Sequence, residues 1–470
     1  MDYDVIVIGG GGAGMSAAVE AANQGARVLI VEAGDSLGGS TALSGGVYYA
    51  AGTEAQRAQG IEDSADDMFR YYMTLNQYRV EPSLVRRLCD EAAAGLEWLE
   101  GMGAEFPAAN LYQSGVDGIK RGHRCEQQGA GIAQALEAAI SQKGLDVALQ
   151  TRVRDLLRDD TGRVTGIRVD GADVTAHSVV LATGGFGANP EMLAHLYPEA
   201  ASASDWAWYI GVDTCRGDGI EMATAAGGEV VGHDRGLLLI TPGFARDTEP
   251  YMPGWLVYVN RDGRRFIDET TEYSVVSGVV KAQPASECFA VFDEAARLAS
   301  KPPAHTVKNP WSNPQWSGER LAQLAKDGRI FSADTLAELG EKAGIRPGAL
   351  ATTIESYNAS ASRGEDDMFF KGTDHLRQLT TPPYYAARLR SAIVCLTATG
   401  IRIDVDGQVL DRADQVIEGL YAAGETTGGV MGERYIGGGN SITNAIVFGR
   451  IAGASAARTA QVANTAIKAA

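Results

Sequence analysis

Apolar residues follow two rhythms along this chain. Asp4 to Ile8 (DVIVI) is a short, almost unbroken apolar run, as expected of a parallel strand buried on both faces. The alanine-rich stretch Met15 to Gln24 reads as a helix. Ala26 to Val31 (ARVLIV) reads as a second buried strand, ending at Glu32. Residues 62 to 105 change to helical spacing. Met68, Tyr71, Tyr72 and Leu75 lie behind a cap at Asp63-Ser64, and a second helix runs from about Pro82 to Met102 with Leu84, Leu88, Leu96, Trp98 and Leu99 packed inside. Gly101 and Gly103 end it. Residues 106 to 131 show neither rhythm and read as a long loop, a kind more often functional than idle. Ile132 to Lys143 is a helix.

Strand patterns follow at Val147 to Leu149, Arg152 to Asp159, Val164 to Asp170 and Asp173 to Ala176, separated by turn signals. They suggest a meander beside the main sheet. Ser178 to Ala182 is another buried strand, running into Thr183-Gly184-Gly185-Phe186-Gly187. An aromatic patch, Asp205 to Tyr209, precedes Arg216-Gly217-Asp218-Gly219, which opens a helix over Ile220 to Ala226. Residues 233 to 384 hold most of the prolines and mix short strands with helices, so they read as a second domain. Its strands are expected near Leu256 to Asn260 and Phe289 to Phe292. Its helices are expected near Ser317 to Leu324, Ser332 to Ala343 and Pro347 to Ser362. Strands return at Ile393 to Leu396, Ile401 to Ile403 and Leu420 to Ala423. The last helix spans Ser441 to Thr459, with an alanine-rich tail after Ala452 expected to fray.

The first strand, helix and second strand enclose Gly9, Gly11 and Gly14, spaced G-x-G-x-x-G. This is a β-α-β unit with glycines for a tight turn, for close approach to a pyrophosphate and for helix–strand packing. Glu32 stands where a carboxylate takes a ribose hydroxyl. Strand, glycines, helix, strand and acid in that order specify a dinucleotide site. The small residues after the acid, Leu37-Gly38-Gly39-Ser40-Thr41 and Ser44-Gly45-Gly46, suit a backbone passing under a flat ring system, which selects FAD over NAD. The loop at Ala182, Thr183 and Gly184 is placed for a second contact with the dinucleotide.

Composition narrows the partners. The 470 residues are 45% hydrophobic and 21% charged, an ordinary globular profile. A net charge of −18 argues against nucleic acid. A core strand begins at the N-terminus, so no signal peptide is expected, and no apolar run approaches the ~20 residues of a membrane span. The five cysteines are scattered and the six histidines have no ligand spacing. Reduced thiols in a cytoplasm, and no metal, are the expectation.

Three later stretches complete the pattern: Leu420 to Gly429 (LYAAGETTGG), Arg434 to Ile442 (RYIGGGNSI) and Val259 to Tyr273 (VNRDGRRFIDETTEY). With them, the chain resembles the FAD-dependent fumarate reductase and succinate dehydrogenase flavoprotein superfamily over essentially its whole length. The resemblance implies an α/β fold: a Rossmann-like FAD-binding domain, with parallel sheet and β-meander, formed by residues 1–232 and 385–470. An α+β catalytic domain, 233–384, is inserted between. It implies FAD contacts from Gly12, Ala13, Ala33, Val153, Gly217, Asp218, Gly424, Glu425, Asn440, Ser441 and Ile442, besides the small residues already named.

The departures from that family are informative. Covalent members carry a histidine where Ser40 stands, so the flavin is expected to be non-covalent. Dicarboxylate reductases place an arginine four residues after the glutamate of their RFxxE run; counting on from Glu269 reaches Tyr273. They also place a histidine before a T-x-G-G turn, where Cys395, Leu396 and Thr397 stand here. Tyr273 and the spacing of Tyr435 and Gly439 resemble instead the 3-ketosteroid dehydrogenase branch. The Ala42 to Tyr49 and Trp98 to Gly101 regions are similar to its Δ4-(5α) members more than its Δ1 members.

That resemblance implies a desaturase of cyclic ketones. Tyr273 would take the proton α to the carbonyl, while the Tyr435 hydroxyl and the Gly439 N–H would hold the carbonyl oxygen. The start of the last helix, at Asn440-Ser441, would aim its dipole at the flavin edge. Tyr112, Tyr48 and Arg434 are candidates to assist the base. Against these stand plainer readings. Tyr273 could be an ordinary loop tyrosine, Arg434 a carboxylate clamp or a solvated charge, and Trp206, Trp208 and Tyr209 a steroid slot or simple packing. The alternatives are a smaller cyclic ketone such as 4-oxocyclohexanecarboxylate, an enoate or fumarate-like reductase, and a non-enzymatic flavoprotein. An external electron acceptor is required for the desaturase.

Overall fold

The computed structural model describes residues 1–246, 252–301 and 314–469. They form a mixed α/β protein with two compact units. The larger comprises Met1–Ala201, Gly211–Leu237 and Cys395–Ala470, and the smaller Ser202–Ile210 and Leu238–Val394.

In the larger unit a parallel sheet grows outward from the first strand, Tyr3–Ile8. It pairs with Val28–Val31, Val5 opposite Val28, and with Ala172–Leu181, Val5 opposite Ser178. Asp146–Ala148 extends one side and Val416–Ala422 the other, both parallel. Val5, Ile6 and Val7 are wholly buried, which is what their unbroken apolar run requires. The meander is present: Asp155–Arg158 and Val164–Val169 pair antiparallel and lead back into Ala172–Leu181.

The first helix, Gly12–Asn23, lies against the closing helix, Asn440–Ala469. Their backbones nearly touch. A Cβ on Gly449 would overlap the Ala13 carbonyl, and one on Gly453 the Ala17 carbonyl. This contact runs past Ala452, so the alanine tail expected to fray is helical to Ala469. A lone helix that long would fray, but one buried against a neighbour is held.

The smaller unit is built on a six-stranded sheet. Its central strand, Tyr384–Thr397, pairs with Glu287–Asp293 on one side, and with Gly236–Thr241, Phe331–Ala333 and Trp208–Tyr209 along its length. Side chains alternate across it. Tyr385, Ala387 and Leu389 join Trp255, Phe292 and Trp316 in one core. Ala386 joins Phe289, Val291 and the apolar faces of helices Leu336–Ala343 and Ala349–Arg363 in another.

Three expectations are corrected. The stretch read as a loop, 106 to 131, contains strands Leu111–Gln113 and Lys120–Arg124, which make a three-stranded sheet with Val47–Tyr49. Lys120–Arg124 pairs with Leu111–Gln113 on one side and with Val47–Tyr49, more than seventy residues away in sequence, on the other, and no local rhythm shows that second pairing. The runs read as Asp173 to Ala176 and Ser178 to Ala182 are one strand, Ala172–Leu181. Trp208–Tyr209, read as a patch, pairs in parallel with Ile393 and Val394.

Replacing Gly453 by valine puts a branched side chain into the Ala17 backbone, which cannot swing aside. The expected loss is about 1–3 kcal/mol of unfolding free energy, read from urea midpoints at constant slope. An unchanged midpoint would show that the two helices do not need this close approach.

Candidate active site

The cradle begins where the first strand ends. Gly9 has φ +105°, which a side chain would strain, and a Cβ there would overlap the Ala182 carbonyl. A Cβ on Gly14 would overlap the Gly9 carbonyl. Gly11 is different: nothing lies within 4 Å of where its Cβ would stand. It is the N-cap of the first helix and has no side chain of its own to cap that end. A helix N-terminus beside open space is a ready anion site. Gly38 passes beneath, its N–H donating to the Gly10 carbonyl at 2.8 Å. A Cβ on Gly39 would sit 3.2 Å from the Gly11 Cα. Thr41 Oγ1 accepts from the Gly12 N–H at 3.2 Å, and Ala13 is buried.

Glu32 is buried, and its carboxylate accepts the Gly10 and Gly34 N–H groups, each at 2.6 Å. The acid expected to take a ribose hydroxyl therefore also braces the glycine loop. Each oxygen keeps a second lone pair, so the two duties are compatible. Ala33 beside it is half-buried.

The other wall comes from three strand ends. The Ala182 N–H donates to the Ile8 carbonyl at 2.8 Å. Thr183 Oγ1 accepts the Gly219 N–H at 3.1 Å, and the Gly184 carbonyl accepts Thr426 Oγ1 at 3.1 Å. Gly217 is the left-handed N-cap of helix Asp218–Ala225, and Asp218 is ion-paired to Arg152 beside buried Val153. Ser40 Oγ accepts the Val212 N–H at 3.2 Å. Ser44 Oγ donates to the Thr41 carbonyl at 2.7 Å and accepts from Gly46, while Gly45 faces open space. Gly424 packs on Ala13. The Glu425 carboxylate is turned to Thr397, accepting its N–H at 2.8 Å and its hydroxyl at 3.0 Å, and burial pushes its carboxyl up.

At the head of the closing helix, the Tyr435 hydroxyl accepts the Ser441 N–H at 3.2 Å and lies 3.1 Å from Ser441 Oγ. The Gly439 N–H bears on the same hydroxyl. Burial is the largest influence and pushes the phenol well above its ordinary value, so the group stays a neutral donor. Gly439 has φ +104° and leaves no room for a Cβ against Val47. The first amides of this helix are engaged within the loop itself. The Ser441 amide is taken by Tyr435, and the Asn440 N–H goes to the Gly437 carbonyl at 3.3 Å, because the glycine loop folds back over the first turn. Ile442 is buried behind them. Asn440 is 1% exposed, its Nδ2 donates to Tyr72 at 2.9 Å, and its Oδ1 has no hydrogen-bond partner among the described residues.

Tyr273 stands in the smaller unit, as the first residue of helix Tyr273–Lys281. The segment before it is anchored. Arg265 is doubly bonded to Glu269 at 2.8 Å, Lys371 lies 3.1 Å from Glu269, and all three are buried. Sequence reasoning missed Glu272, the N-cap of this helix, which accepts the Ser274 N–H at 2.7 Å. An acid directly before a helical run was the available signal. Burial raises its carboxyl from 4.5 to about 7.

The candidates to assist the base are placed as follows. Tyr48 is wholly buried and its hydroxyl has no hydrogen-bond partner among the described residues, so it is a core group. Tyr112 lies under the Arg124 guanidinium, 4.7 Å from its centre. Arg434 is exposed beside Glu433. No cluster of possible metal ligands occurs among the described residues, and no described helix is long and apolar enough to cross a membrane.

These residues fit FAD. The helix end is open at Gly11, and a buried Asn440 oxygen has no hydrogen-bond partner among the described residues. Comparison with known proteins agrees. The family described as FAD binding domain matches residues 4–442. The fumarate reductase (cytochrome) of Shewanella frigidimarina is 33% identical, over 97% of this chain and 77% of its own length. The vinyl phenol reductase of Lactiplantibacillus plantarum is 28% identical, over 92% of this chain and 91% of its own. The solved 3-ketosteroid Δ4-(5α)-dehydrogenase of Rhodococcus jostii RHA1, in complex with 4-androstene-3,17-dione, matches with TM-score 0.78 at 27% identity, covering 97% of this chain and 96% of that one.

The raised Glu272 carboxyl sets a pH dependence. Its folded value lies above the unfolded 4.5, so the charged form is the one folding disfavours. Relative to Glu272→Gln, the native protein is expected to lose stability as pH rises from 4.5 to about 7. Matched denaturant curves across that range test this; parallel pH profiles for the two proteins would refute it.

Proposed function

This chain belongs to the FAD binding domain family and to the fumarate reductase and succinate dehydrogenase flavoprotein superfamily, and we propose that it desaturates a cyclic ketone next to its carbonyl, a 3-ketosteroid first of all. It is an FAD-dependent oxidoreductase acting on CH–CH groups. The larger unit holds FAD in this reading, with pyrophosphate at Gly9 to Gly14, ribose at Glu32, and the small residues Gly38 to Gly46 under the ring.

One observation carries the proposal. A phenol, Tyr435, and a side-chain-free amide, Gly439, meet at one point at the head of the closing helix. FAD, when bound, supplies a ring that takes a hydride. The chain's residues handle the rest. Tyr273, as its phenolate or with its own proton passed on to a neighbour, takes the α proton, and as that proton leaves, negative charge grows on the carbonyl oxygen. The Tyr435 O–H and Gly439 N–H donate to that oxygen, and a donor aimed at developing charge lowers the barrier. Gly439 lacks a Cβ because Val47 fills that space, so the loop closes on Val47 with the Gly439 N–H beside the Tyr435 hydroxyl. A dicarboxylate reductase needs cations for its substrate, and counting on from Glu269 to the position of the family's arginine reaches a tyrosine, Tyr273.

A second reading, an enoate reductase running in the opposite direction, is favoured by the 33% identity to the Shewanella enzyme. A smaller ketone bearing a carboxylate is the remaining variant, with exposed Arg434 as its clamp. Anaerobic mixing separates the directions: a saturated ketone bleaches the oxidised flavin, whereas an unsaturated acid recolours the reduced one.

Tyr273→Phe and Tyr435→Phe are each expected to lower kcat by about 10²–10⁴-fold, with flavin absorbance retained. The assay is a panel of saturated and unsaturated 3-ketosteroids and simple cyclohexanones, with product double-bond position determined. Full turnover of every ketone by Tyr273→Phe would remove it as the base.

A further inference from the structure

A cavity of about 550 Å³ opens in the smaller unit beside its central strand, Tyr384–Thr397. Aromatic rings line it, Trp206, Phe244 and Phe331 among them. Three arginines, Arg246, Arg329 and Arg388, share it with one acid, the exposed Asp205. Tyr273 is not among the residues that line it. The cavity is of the size that small ligands occupy.

The charge balance behind it is uneven. Glu287 is wholly buried and serves three guanidinium groups: Arg261 at 2.6 Å, Arg390 at 3.0 Å and Arg388 at 3.8 Å. One carboxylate cannot neutralise three cations. Arg388 is the least satisfied, since 3.8 Å is too long for a hydrogen bond and its buried Nε has no hydrogen-bond partner among the described residues. Rings hold it in place: its guanidinium lies 5.9 Å from the centres of Phe289 and of Phe331. Arg390 likewise lies 5.1 Å from the Trp206 ring. In a chain of net charge −18 this cationic excess is a local feature, not background.

The Arg388 Nε is buried and faces Glu287, but a third of the side chain stays exposed and lines the cavity; a guanidinium end there asks for an oxyanion, and flat apolar walls ask for a ring. We propose that this cavity binds an aromatic carboxylate, with its ring between Trp206 and Phe331 and its carboxylate on Arg388. The register of the sheet places these groups together: Arg388 stands opposite Phe289 and two residues from Arg390, on the face that Glu287 anchors. This site stands on the smaller unit's own geometry and goes beyond the ketone chemistry argued above.

The test titrates the flavin-loaded protein with 3-phenylpropanoate, followed by tryptophan emission and by calorimetry. Saturable binding is expected, with its neutral amide and hexanoate each at least about tenfold weaker. R388Q and W206L are each expected to weaken 3-phenylpropanoate by about tenfold or more at unchanged flavin content. W206L breaks no ion pair, so it decides the matter if R388Q misfolds. Equal affinity for acid and amide, unaltered binding in W206L, or no saturation up to about 10 mM each overturns the proposal. Binding that survives both variants belongs elsewhere on the protein and overturns it too.

Discussion

Backbone meets backbone at the head of the first helix, and the larger unit is arranged around that contact. Gly9, Gly14, Gly449 and Gly453 each stand where a Cβ would overlap another segment's carbonyl. The first helix is thereby pressed between the parallel sheet and the closing helix. Its N-terminus has one position, and the single open side of the loop is at Gly11. An anion site made in this way needs no charged side chain, which suits a dinucleotide in an acidic protein. Because the closing helix is gripped by the same contact, its own head is fixed relative to the cradle. That head carries Tyr435, Gly439 and Asn440.

Buried charge does the equivalent work for the loops. Arg121 is 1% exposed and bonds Asp63 through two nitrogens at 2.7 and 2.8 Å, with Asp117 at 2.5 Å and the Tyr71 ring beneath. Tyr71 donates to the Ile436 carbonyl at 2.8 Å, and the Ser114 carbonyl accepts the Gly438 N–H at 3.1 Å. The loop bearing Tyr435 and Gly439 is thus tied to a guanidinium two contacts away. In the smaller unit, Arg265, Glu269, Asp366 and Lys371 form a second buried cluster, and Glu269 also accepts the Tyr258 N–H at 2.9 Å. It anchors the chain just before Glu272 and Tyr273. Removing one partner of such a cluster leaves a charge uncompensated in the interior, at a cost of about 3–5 kcal/mol. These networks fix geometry; their net contribution to stability is a separate matter.

Much of this was legible in the sequence. DVIVI, the three glycines, ARVLIV and Glu32 specify a strand, a helix, a strand and an acid by local pattern alone, and the structure has them in that order. The cap at Ser64 and the helix from Pro82 were readable for the same reason, since capping and helical spacing are properties of neighbouring residues. The FAD cofactor followed from small residues after the acid. What stayed hidden depends on partners distant in the chain. Lys120–Arg124 is the middle strand of its sheet because Val47–Tyr49, more than seventy residues away, pairs with it.

The sequence by itself determined the dinucleotide fold and its cofactor. Each of these is written in residue type and short spacing. Only the tertiary structure decided that the Tyr435 hydroxyl accepts the Ser441 amide, that Glu32 braces its own glycine loop, and that Glu272 sits buried with a raised pKa. It also decided that one carboxylate, Glu287, is left among three arginines. Hydrogen-bond choice and desolvation are set by what surrounds a group in space, and those surroundings come from segments that no local rhythm connects.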